Sequence, residues 1–97
     1  MTLCGIDAST SCSGLALFEN SKYKTHILIN HKANKDSEDR MNNMIKDIIT
    51  TLQKWNPDIV WIEQPKGSFN IEVTGKFLRF LELCVCGVFG KAKNITK

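Results

Sequence analysis

Pro57-Asp58-Ile59-Val60-Trp61-Ile62-Glu63 decides the fold of this chain. The apolar run is too short for a helix, and a nearly unbroken apolar stretch between polar ends suits a strand inside a parallel sheet. Just upstream, Asn56-Pro57 stops a helix, because the residue before proline is pushed out of the right-handed helical region. That helix opens at Asp36-Ser37-Glu38-Asp39, a capping oxygen followed by carboxylates in the first turn. Met41, Met44, Ile45, Ile48, Leu52 and Trp55 then recur at the +3/+4 spacing of one buried face. A strand entered from such a helix can pair in parallel with an earlier strand, and a right-handed crossover sets it beside the first one.

The earlier strands lie further toward the N-terminus. Leu3-Cys4-Gly5-Ile6 reads as a strand that Asp7 closes, entering a small-residue turn over Ala8-Ser9-Thr10-Ser11-Cys12-Ser13-Gly14. Leu15-Ala16-Leu17-Phe18 reads as an internal strand ending at the Glu19-Asn20-Ser21-Lys22 turn. From Tyr23 to Lys32 the residues alternate, with Tyr23, Thr25, Ile27 and Ile29 on one side and Lys24, His26, Leu28 and Asn30 on the other. Downstream, Gln64 to Asn70 has loop composition, and Val73, Phe77, Leu81, Cys84 and Val88 mark a second helix over Ile71 to about Gly90. Leu78, Val85 and Phe89 lie off that face and leave apolar surface for a partner subunit; Lys91 to Lys97 reads as a fraying polar end. The order is β-β-β-α-β-α: an α/β domain with three antiparallel strands, a parallel fourth and two helices.

Ninety-seven residues fit one small domain spanning 1–97, and 42% hydrophobic against 24% charged residues excludes a disordered chain. The N-terminus lacks the basic and apolar regions of a signal peptide, and the apolar window Phe77 to Phe89 is too short for a membrane span, so a cytoplasmic protein without a membrane partner is expected. Cys4, Cys12, Cys84 and Cys86 have no C-x-x-C spacing and read as reduced structural thiols. His26 and His31 are separated by an odd number of strand positions, which places them on opposite faces and makes a shared metal unattainable without a bulge. The net charge of +3 is uneven: residues 64–97 hold six basic groups against Glu72 and Glu82, a surplus that can face a polyanion.

Two acids carry the sharpest chemical signal. Asp7 closes the first strand and Glu63 the fourth, and on neighbouring strands their backbones lie about 4.8 Å apart. Both could bind one divalent cation, and carboxylates with water suit Mg²⁺ or Mn²⁺ better than zinc. Gly5, two residues before Asp7 on the same face, leaves room for a ligand. Taken singly, Asp7 also fits a turn cap and Glu63 an exposed strand end. Following buried strands, however, the two acids are costly unless paired or metal-bound.

Gly5-Ile6-Asp7-Ala8-Ser9-Thr10, Gly14-Leu15-Ala16-Leu17-Phe18, the acid-started helix and Pro57 to Gln64 together resemble the N-terminal half of the RuvC family. These are Holliday-junction resolvases and phage-type relatives in the ribonuclease H-like superfamily, and the resemblance covers roughly residues 3–90. It implies a ribonuclease H-like fold and hydrolysis of phosphodiester bonds in branched DNA. Asp7 and Glu63 then correspond to the first two catalytic, metal-binding carboxylates, with Mg²⁺ or Mn²⁺ as cofactor. Lys66, Ser68, Phe69 and Asn70 fall in the loop that meets DNA, where Phe69 can stack on a base and Lys66 can contact phosphate. Lys76 and Arg79 on the next helix are further DNA contacts, and the helix over 71–90 is similar to one used for homodimerisation.

The family continues into a C-terminal strand and a helix bearing further Asp residues, whereas this sequence has no acid after Glu82 and reads as a truncated form of the domain. A catalytically incomplete nucleic-acid-binding or dimerisation module is therefore the alternative. An actin-like ATPase fragment is a third reading, although such proteins typically place glycine where this chain has Ser9.

Overall fold

The structure, a computed structural model, describes residues 1–63, 71–89 and 94–96, and the side chains of 1–63 and 77–87. Strands β1 (Thr2–Asp7), β2 (Cys12–Glu19) and β3 (Lys22–Asn30) form an antiparallel meander, followed by helix α1 (Ser37–Trp55), strand β4 (Ile59–Glu63) and helix α2 (Ile71–Phe89). A short β5 (Asn94–Thr96) completes a sheet of order β3-β2-β1-β4-β5. As the apolar run at 59–62 implies, β4 pairs parallel to β1. The architecture is the α/β one read from the sequence, three antiparallel strands, a parallel fourth and two helices, with one addition at its edge.

That addition corrects the expectation of a fraying tail and of a missing C-terminal strand. Asn94, Ile95 and Thr96 pair parallel with Ile59, Val60 and Trp61. Without them β4 would present an unpaired edge.

The meander is held by local chemistry. Asn20 and Ser21 both take positive φ in the two-residue connection between β2 and β3, the backbone that a tight hairpin requires. β2 begins at Cys12, earlier than its apolar residues suggest, because Ser13 is fully buried yet satisfied: its hydroxyl donates to the Ser9 carbonyl at 2.8 Å and accepts from the Ser9 N–H at 3.0 Å. A register shift between Leu17 and Phe18 pairs Phe18 with Tyr23 and Leu17 with Thr25. Lys24 is the extra residue, so Tyr23 leaves the face of Thr25, Ile27 and Ile29 that simple alternation assigns it. It stands instead against Phe18, edge to face at 6.1 Å, and its hydroxyl meets His26 Nδ1.

Both helices contribute to one core on one face of the sheet. Met44, Ile45, Ile48 and Leu52 of α1 and Phe77, Leu81 and Val85 of α2 pack with Cys4, Ile6, Leu15, Val60 and Ile62. Val85 therefore belongs to the core face and Leu78 packs against it, the side chain of Phe89 lies outside the described residues, and the large apolar side chains of α2 exposed among the described residues are Phe80 and Leu83. Burial pushes the Cys4 thiol up to about 12, so it stays protonated and inert at neutral pH.

Helix α1 ends where the sequence places its signals. Asn56 adopts the left-handed conformation before Pro57, and its N–H bonds the Leu52 carbonyl at 2.7 Å. At the other end, one carboxylate oxygen of Asp36 accepts from the N–H groups of Glu38 and Asp39 at 3.0 and 3.2 Å. Asp36→Ala should cost about 1 kcal/mol and lower the melting temperature by roughly 4–8 °C in a thermal melt, since two amide donors lose their partner.

Candidate functional site

The position of the two acids is set at the far ends of their strands. Asp58, just before β4, accepts from the Thr2 N–H at 2.9 Å and the Thr2 hydroxyl at 3.2 Å, while its own N–H donates to the Thr2 carbonyl at 3.0 Å. This clamp fixes the start of the parallel ladder, and the register then runs Leu3↔Ile59, Gly5↔Trp61 and Asp7↔Glu63. Asp7 and Glu63 are directly opposite, on strands about 4.8 Å apart. Because side chains alternate, Cys4, Ile6, Val60 and Ile62 enter the core while Gly5, Asp7, Trp61 and Glu63 share the other face.

That face forms an open groove of about 320 Å³. Two rows of side-chain positions cross it, Leu28–Gly14–Asp7–Glu63 and His26–Ala16–Gly5–Trp61, each read from β3 through β2 and β1 to β4. The floor is small by composition, and among the described residues a Cβ added to Gly5 would meet no atom within 4 Å. The Ser9–Ser13 hydrogen bonds close the loop immediately after Asp7, which holds the acid at the groove's end.

Two hard oxygen donors at the mouth of an open groove fit Mg²⁺ or Mn²⁺, ions that bind through one or two carboxylates and complete their shells with water and substrate oxygens. Among the described residues, no group of three His, Cys, Asp or Glu side chains could hold a metal. The histidines lie on opposite sides, as their spacing requires: His26 lines the groove, and His31 reaches α1, where its Nε2 lies 2.6 Å from Asp47. Of the nucleic-acid contacts expected from the sequence, Arg79 is exposed on α2 and Lys76 lies in the same helix with its side chain outside the described residues. Lys66, Ser68, Phe69 and Asn70 lie outside the described residues altogether. His26 and Trp61 were missed as groove residues. The signal for Trp61 was present, because it stands two residues before Glu63 on the same strand face.

The sheet order and helix placement can be matched to solved structures. Thermus thermophilus RuvC, solved in complex with a Holliday junction substrate, superposes with a TM-score of 0.75 at 14% identity, over 98% of this chain and 63% of that one. The chain has the RuvC fold. A second Thermus thermophilus RuvC structure gives 0.71 at 15% identity, again over 98% of this chain and 63% of that one. Fowlpox virus resolvase, solved with substrate Holliday junction DNA, gives 0.62 at 18% identity over 98% of this chain and 58% of that one. The chain thus spans about three fifths of the length of these RuvC-fold proteins. No protein-family model matches the sequence, and no curated protein sequence matches it. Among the described residues, no helix is long and apolar enough to cross a membrane.

Proposed function

We propose that this RuvC-fold chain forms the metal-binding core of a cytoplasmic endodeoxyribonuclease that hydrolyses phosphodiester bonds in branched DNA. The observation that carries this reading is the direct pairing of Asp7 with Glu63 on the open sheet face. These two acids would hold Mg²⁺ or Mn²⁺, and a cation bound there supplies polarisation of a phosphodiester and activation of water. The chain's own part is to fix both carboxylates through the Thr2–Asp58 clamp and the Ser9–Ser13 loop, so that little reorganisation accompanies binding. Lys66, Ser68, Phe69, Asn70, Lys76 and Arg79 would contact the DNA, in keeping with the positive surplus of residues 64–97. The same reading includes a homodimer through helix 71–90, supported by the outward Phe80 and Leu83, 47% and 67% exposed.

The test is a labelled four-way DNA junction incubated with the protein in Mn²⁺, alongside a salt series in its absence. Binding that weakens steeply with salt, together with Mn²⁺-dependent cleavage, is the expected result. Salt-sensitive binding without cleavage would make the chain a catalytically incomplete binding module of the same fold. Neither binding nor cleavage would overturn the DNA reading.

A further inference from the structure

Trp61 is 46% exposed in the middle of a five-residue strand whose inward residues, Val60 and Ile62, are almost completely buried. It forms one wall of the groove and His26 the other, with Ala16 and Gly5 on the two strands between them. Three strand spacings separate these walls, about 14 Å from backbone to backbone. Among the described residues, no atom comes within 4 Å of where a Cβ on Gly5 would stand.

Charge restricts what can enter. Among the described residues, the groove lining contains Asp7 and Glu63 and no Lys or Arg. Within that lining a phosphate is attracted where a cation sits between the acids, and the part of a nucleotide that suits the rest of the groove is its uncharged base. Trp61 lies two residues from Glu63 on the same face, about 7 Å along the strand, within the reach of one nucleotide from such a cation.

From this we infer that Trp61 is a base-stacking platform, taking the nucleobase next to the phosphate held at Asp7 and Glu63. This rests on the DNA reading above. Gly5 is paired in ladders on both sides, with Ala16 and with Trp61, so its backbone is committed to the sheet rather than to base edges. Stacking without edge readout tolerates all four bases. The imidazole of His26, whose Nδ1 is engaged by Tyr23, bounds the slot on the far side.

The test uses Trp55→Phe protein, in which Trp61 is the remaining indole, titrated with a four-way DNA junction in Ca²⁺. Saturation should quench the Trp61 emission. Trp61→Leu, which keeps apolar bulk without a π-face, should bind the junction on the order of 5- to 100-fold more weakly, whereas Trp61→Tyr should stay close to wild type. Thermal melts of each variant confirm that it is folded. Unquenched emission at saturation, or equal affinity of Trp61→Leu and wild type, would overturn the stacking site while leaving DNA binding intact. Failure of the wild type to bind any junction would overturn both readings together.

Discussion

Asp7→Asn lowers Mn²⁺ affinity on the order of 100-fold and leaves the melting temperature level or slightly raised. The two halves of this expectation come from one geometry. Asp7 and Glu63 are opposed on adjacent parallel strands, so a cation between them has two charged ligands from the protein, and removing one leaves a site that water and Glu63 alone must complete. Changing groups that only support a ligand typically costs 10–100-fold in metal affinity, and losing a ligand itself belongs at or above the top of that range. Without metal, Asp7 and Glu63 carry like charges at paired positions of neighbouring strands, so neutralising one removes no attractive partner from the fold. Glu63→Gln should behave in the same way. Calorimetric Mn²⁺ titration beside thermal melts measures both halves, and a large fall in melting temperature for metal-free Asp7→Asn would mark the acid as structural.

Phe77→Ala has the largest expected effect on stability, about 3–5 kcal/mol. Phe77 is completely buried and is the largest of the fully buried side chains. With Leu81 and Val85, also at 0% exposure, it forms the inner stripe of α2 that meets α1 and the sheet. Truncation leaves a cavity between rigid elements, where partial collapse recovers little. For a domain near 100 residues each 1 kcal/mol shifts the melting temperature by roughly 4–8 °C, so the variant should melt on the order of 15–30 °C lower or fail to fold at 37 °C. Phe80→Ala on the outer face of the same helix is the control. Phe80 is 47% exposed and its removal should cost far less; equal losses for the two would contradict this placement of α2.

The parts of the fold legible in the sequence were those where one local rule acts alone. Asp36 caps α1, Asn56 before Pro57 ends it, and 59–62 forms the parallel strand, because nothing competes with those preferences. The departures arise where pairing partners decide. Cys12 and Ser13 look like a turn until β3 pairs with them, through Asn30 and Ile29. Tyr23 changes face because the partner strand shifts register at Leu17/Phe18, which alternation within β3 cannot reveal. Val85 joins the core because α2 presents the 77-81-85 line inward, a choice among apolar faces that a helix apolar all round leaves open. The acid pair was legible because both strands end in a carboxylate, whereas the groove beside it was not. Its walls and floor come from four strands, and His26 and Trp61 meet there only through the ladder registers.

The central claim is that Asp7 and Glu63 form one divalent-cation site, and paramagnetic broadening by Mn²⁺ in an amide NMR spectrum tests it most directly. Substoichiometric Mn²⁺ should selectively broaden the amides around Asp7, Gly14 and Glu63, and Asp7→Asn should abolish the effect. Broadening spread over the other acidic surfaces, or identical broadening in wild type and Asp7→Asn, would contradict it.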